Sequence, residues 1–172
     1  MLKKEANKIV GGLSKPGKMP CPSINLPAPA CITGSILALI EGTTCFGCYA
    51  LKGRYKFKTT IKAMARRLRA LAHASWTTAM VTLMKNRKYF RWHDSGDLQS
   101  AQHLKNILEV CKQTPDTKHW LPTREARLLA LMDPEVIPKN LLIRLSATKV
   151  NGAAPSSWPW TSTVTDGKDK TC

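Results

Sequence analysis

With 172 residues, 43% of them apolar, the chain is long enough to bury one core and too apolar to be disordered throughout. No run approaches the roughly 18 apolar residues of a membrane span, and the opening Met1-Leu2-Lys3-Lys4-Glu5 lacks the apolar stretch of a secretory signal, so a soluble cytoplasmic protein with no membrane partner is expected. The 27 Lys and Arg against 11 acids give a net charge of +16, well beyond the about 2–8 charges that solubility asks of a small domain, which points to an anionic partner, nucleic acid first.

One domain over residues 1–172 is expected, with an N-terminal loop region over 1–50, βα units over 51–150 and an irregular tail over 151–172. Residues 1–30 are rich in Gly, Pro and Ser and read as loop, with one short extended piece near Ser23 to Leu26. Residues 31–50 hold three of the six cysteines and several glycines, the composition of a site loop. A long helix is predicted over 57–86, because Ile61, Met64, Leu68, Leu71, Ala79 and Leu83 recur at steps of three and four. Lys58, Lys62, Arg66 and Arg69 line another face of it, a candidate surface for phosphates or simply a solvated face.

The period then changes. Lys88 to Trp92 is aromatic and strand-like, and it runs into the polar turn His93-Asp94-Ser95-Gly96-Asp97. Ser100 can cap a helix with Ala101, Leu104, Leu108 and Cys111 on its apolar face, and Pro115 stops it. His119-Trp120-Leu121 predicts a second strand, Pro122 to Glu125 the start of a short helix, and Asn140 to Ser146 a buried third strand. Strands alternating with helices at this spacing imply a parallel sheet with helical crossovers, an α/β fold. Such sheets place ligands beyond the carboxyl ends of their strands, where His93 to Asp97, Pro122 to Glu125 and Ser146 to Lys149 all fall.

Six cysteines without an export signal favour a metal over disulfides. Cys45-Phe46-Gly47-Cys48 offers two thiolates to one centre, and Gly47 lets the loop turn tightly around it. The spacing alone leaves zinc, a cluster and a redox dithiol open. Cys31, fourteen positions before Cys45, adds a third thiolate, and three thiolates with an open fourth position suit a [4Fe–4S] cluster. Cys172 or Cys21 is the expected fourth ligand if the protein closes the cluster, with Cys172 favoured; Cys111 reads as core. In the His93 to Asp97 turn, Asp97 can face a cationic group and Gly96 permits close approach. His93 serves equally as ligand, acid–base group or structural histidine, and the bland alternative for the segment is a strand-end turn with a cap.

The segments Gly17-Lys18-Met19-Pro20, Leu26-Pro27-Ala28, Cys31-Ile32-Thr33-Gly34, Cys45 to Gly53, Phe90 to Leu98 and Trp120 to Glu125 together resemble the phage gene product 88 family. That resemblance implies a phage protein working in the cytoplasm of an infected bacterium. It also implies a cysteine-bearing tail that starts at Cys172, so that the chain is either a short member or a truncated one. At greater distance the layout is similar to radical S-adenosylmethionine (SAM) enzymes, which implies a partial parallel (β/α) barrel with a cysteine-rich N-terminal loop. Cys31, Cys45 and Cys48 would then hold the cluster, while Ser95, Gly96 and Asp97, with His93 beside them, would take the SAM amino group. The thirteen residues between Cys31 and Cys45 depart from that superfamily's usual spacing. The expected function is a phage iron–sulfur protein of radical-SAM type acting on nucleic acid. The alternatives are a non-catalytic iron–sulfur or zinc protein that binds nucleic acid, or an electron carrier.

Overall fold

The computed structural model describes residues 1–167. Five strands form one sheet: β1 (Ser23–Ile24), β2 (Tyr89–Trp92), β3 (Lys118–Thr123), β4 (Leu141–Val150) and β5 (Thr161–Val164), in the order β1-β2-β3-β4-β5. Every neighbouring pair is parallel. Six α-helices accompany them among the described residues: α1 (Lys3–Ile9), α2 (Ile32–Leu37), α3 (Lys58–Ala70), α4 (Trp76–Met84), α5 (Ala101–Lys112) and α6 (Ala126–Leu129). The order never reverses, so successive crossovers step the same way across the sheet, and a crossover hand held constant puts its helices on one face.

The burial alternation shows which face that is. Phe90 and Trp92 of β2, Leu121 of β3 and Ile143 and Leu145 of β4 are buried together with Trp76 and Met80 of α4 and Leu104 and Ile107 of α5. Phe90 and Trp92 meet edge to face at 4.8 Å, and Trp76 leans on Trp92 at 6.2 Å. Aromatic pairs of this kind add about 0.5–1.5 kcal/mol each beyond their buried area. Tyr89, Lys118, Trp120 and Leu142 alternate onto the opposite face and are exposed.

The α/β class, the parallel sheet and the three predicted strands stand, and three details change. The helix predicted over 57–86 is two helices, because residues 71–75 turn between them and the Ser75 N–H is taken by His73 Nδ1 at 3.1 Å. The break has a packing reason. α3 is amphipathic and largely exposed, whereas α4 buries six of its nine residues under the sheet, and one straight rod cannot serve both. The N-terminal segment, predicted as loop, holds α1, whose Ala6 is fully buried in the core with Val10 just after it. The tail, predicted as irregular, supplies β5. Its anchor is Trp158, whose Nε1 donates to the Ile143 carbonyl at 3.0 Å. No described helix is long and apolar enough to cross a membrane.

Candidate functional site

The carboxyl ends of β1 to β4 lie together, and the cysteine region is laid over them. Cys31 ends a short turn and opens α2. The next stretch bonds to the end of β4: the Thr44 N–H donates to the Thr148 carbonyl at 3.0 Å, and the Val150 N–H to the Gly42 carbonyl at 2.9 Å. Cys45 follows at once and is buried. Gly47 takes φ +67°, which lets the Cys48 N–H fold back onto the Cys45 carbonyl at 3.1 Å.

Gly34 shows how close the thiols come. A Cβ at Gly34 would sit 3.0 Å from Cys31 Cβ, 3.6 Å from Cys31 Sγ and 3.5 Å from Cys45 Sγ. The missing side chain is space between two sulfurs. Cys31, Cys45 and Cys48 share one cavity of about 420 Å³ with Tyr49, His93, Asp97 and Arg124. Burial pushes the Cys31 thiol up to about 12, and Asp97, Cys45, Cys48 and Glu125 push it the same way. Burial also raises Cys45, against the opposing pull of Arg124. Thiols that disfavour their own anions this strongly become thiolates when a cationic centre sits among them.

Three acids from the strand ends tie this assembly together. Asp97 accepts hydrogen bonds from the Leu98 N–H at 2.7 Å and the Thr123 hydroxyl at 2.6 Å on Oδ1, and from the Arg124 N–H at 2.9 Å on Oδ2. Arg124 Nε in turn donates to the Thr44 hydroxyl at 2.8 Å, next to Cys45. Glu125 receives the Thr33 N–H at 2.9 Å and the Thr33 hydroxyl at 2.7 Å, next to Cys31. Asp94 accepts from Ser23, from Asn25 at 3.4 Å and from Tyr55 at 3.1 Å, while Tyr49 donates to the Asp94 carbonyl. The end of β3 thus grips both cysteine segments.

The His93 to Asp97 turn does more internal work than its sequence predicts. Ser95 donates its hydroxyl to the Leu26 carbonyl at 3.0 Å. Gly96, at φ +81°, is pressed so closely on Leu26 that a Cβ there would meet the Leu26 Cβ at 2.5 Å. Burial raises the Asp97 carboxyl to about 6, opposed by its bonds from Thr123, Arg124 and Leu98. With three bonds accepted, one acceptor position is left, on Oδ2. His93 is buried at φ +59°, and both its ring nitrogens lack a partner among the described residues. Burial, with His103 and Arg91 adding, pushes it well below the ordinary range, so the ring is neutral. Each buried nitrogen left unpaired costs about 1–3 kcal/mol until something satisfies it.

The other candidates lie elsewhere. Cys21 lines a second cavity beside Arg91, apart from the other three thiols, and Cys111 is fully buried in the core. Cys172 falls outside the described residues. Lys58, Lys62, Arg66 and Arg69 are all exposed on α3, though Arg66 Nε is held by the Gly11 carbonyl at 3.1 Å. Arg67, which the sequence does not single out, is buried and donates to the Gly12 carbonyl at 2.7 Å and to Asn25.

Among the described residues, no group of three or more His, Cys, Asp or Glu side chains is placed to hold a metal ion. A mononuclear zinc site needs sulfurs about 3.8 Å apart, the edge of a tetrahedron with 2.3 Å bonds. A cluster puts a different iron at each sulfur and tolerates wider spacing. Cys31 and Cys45 flank the vacant Cβ position of Gly34, and Cys48 lines the same cavity.

A family model described as gene product 88 matches residues 2–165. No curated protein and no solved structure matches the chain, so the likeness to radical SAM enzymes finds no support there.

Proposed function

The chain belongs to the phage gene product 88 family, and on that footing we propose that it is an iron–sulfur protein whose partner is nucleic acid. The observation that carries this is the gathering of Cys31, Cys45 and Cys48 at one cavity over the strand ends. These three thiolates would hold a [4Fe–4S] cluster, and such a group supplies one-electron chemistry when bound. The chain's own residues do the rest. Glu125 and Arg124 set the two cysteine segments against each other, and Asp97 holds the ends of β2 and β3 in register. The net charge of +16 and the exposed Lys58, Lys62 and Arg69 support a polyanionic partner.

In the fuller form of this proposal the fold is a partial parallel barrel of radical-SAM type, and SAM sits beside the cluster. The strand order without reversal supports that architecture. The SAM amino group would meet the remaining acceptor position on Asp97, and the unpartnered nitrogens of His93 would gain a partner from the same ligand. A second reading, a cluster protein without SAM chemistry, is favoured by the bonds that Ser95 and Asp97 already make within the fold. Calorimetry of SAM against cluster-loaded protein separates the two. Binding in the micromolar range, with 5′-deoxyadenosine released under dithionite, supports the fuller form, and no heat of binding leaves only the second.

A further inference from the structure

The helices leave one face of the sheet uncovered. An open groove of about 1590 Å³ runs over it, lined by Tyr89, Arg91, Trp120, Leu142 and Trp160. Register places these in layers: Arg91 lies beside Trp120, Trp120 beside Leu142, and one layer further Pro122 lies beside Arg144. Tyr89 on β2, Trp120 on β3 and Trp160 just before β5 are 43%, 38% and 42% exposed. The Arg91 guanidinium already lies over the Trp120 ring at 4.6 Å. Arg91 Nε and Arg144 Nε are buried without a hydrogen-bond partner among the described residues. Lys118 and Lys139 line the groove together with Asp116 and Glu135, and the chain as a whole carries +16.

We propose that this face binds single-stranded nucleic acid, with bases stacked on Trp120, Tyr89 and Trp160 and phosphates at Arg91 and Arg144. Rings alternating with guanidinium groups whose Nε atoms lack a partner among the described residues match a strand of stacking bases joined by anions. A duplex hides its base faces and cannot use the rings. An acidic peptide would satisfy the arginines but brings no flat group to each ring. β2 to β5 span about 14 Å at the usual strand spacing, enough for a short segment. Arg91 also borders the cysteine cavity, so a strand in the groove runs up to it. That the bound strand is the substrate rests on the cluster reading above; the binding itself does not.

The test is fluorescence anisotropy of the full chain with labelled oligothymidylate, with cluster absorption recorded on the same samples. Trp120→Ala and Arg144→Gln should each weaken binding roughly five- to hundred-fold, while the paired neutralisation Lys105→Gln with Lys112→Gln on α5, across the sheet from the groove, changes it less than threefold. A duplex of the same sequence should bind at least ten-fold more weakly. If Trp120→Ala lowers the thermal melt, Trp160→Ala decides in its place. Folded sheet-face variants that bind like the parent protein would overturn the proposal. So would loss of binding through α5 alone, equal binding of duplex, or displacement by polyglutamate at matching charge concentration. Binding without a cluster would keep this inference and remove the cluster reading, and a cluster without binding would do the reverse.

Discussion

Replacing Glu125 with Ala should uncouple the two halves of the cysteine site. Glu125 is buried, and its carboxylate takes both the N–H and the hydroxyl of Thr33, two residues after Cys31. Hydrogen bonds to a charged acceptor contribute about 1.5–3 kcal/mol each. Thr33 is half-buried, so water recovers part of the loss, and about 3 kcal/mol is expected in total. For a chain of this length that lowers the melting temperature by roughly 6–12 °C. A second effect has the opposite sign. Glu125 is one of the charges that push the Cys31 thiol up, and removing it favours the thiolate. It comes last among those causes, so loss of position outweighs it and iron per chain falls. Thr33→Val combined with Glu125→Gln completes a cycle in which the pair should couple by at least about 1 kcal/mol. Thermal melts and iron assays read both effects. A loss below about 1 kcal/mol with full iron loading would show that this clamp does not position Cys31.

Gly34→Ala places its Cβ between Cys31 and Cys45, so iron loading should drop several-fold while the melt stays within about 1 kcal/mol of the parent, since Ala favours the helix that Gly34 occupies. Cys111→Ala should cost about 1 kcal/mol or more of core stability and leave iron untouched, whereas Cys45→Ala should remove iron; equal iron loss in both would sink the assignment. Burial lowers His103 and His119 to about 4 in the fold, below the ordinary 6.5 of the unfolded chain. Each therefore contributes stability that is whole above pH 6.5 and lost as pH falls toward 4, up to about 3 kcal/mol per ring. Urea midpoints measured across that window should fall, and a flat profile would contradict the buried neutral state.

Strands with aromatic or β-branched runs were legible in the sequence, and so was the α/β alternation, because each residue type reports its own burial. Cys31, Cys45 and Cys48 were legible for the same reason: thiols grouped in a loop carry their chemistry with them. What holds those thiols was not. The Glu125–Thr33 and Arg124–Thr44 bonds join residues 92 and 80 positions apart, and no local pattern announces such a pair. α1 was missed because its short apolar face, Ala6, Ile9 and Val10, completes only against α4. The break after α3 was missed because the periodicity continues through it. Asp97 and Ser95 were legible as polar strand-end residues, but their bonds to Thr123, Arg124 and Leu26 exist only once three strand ends meet. The open sheet face was invisible for a related reason, since strand alternation shows that two faces exist without saying which is left uncovered.

Whether the three thiols of one cavity hold an iron–sulfur cluster is tested most directly by anaerobic reconstitution followed by absorption spectroscopy with iron and sulfide assays. The reconstituted protein should show a broad visible charge-transfer band that bleaches under dithionite, with roughly four iron and four sulfide per chain, lost in Cys31→Ala, Cys45→Ala and Cys48→Ala alike. A colourless protein that takes up no iron, or one that keeps its full cluster in all three variants, would contradict that assignment.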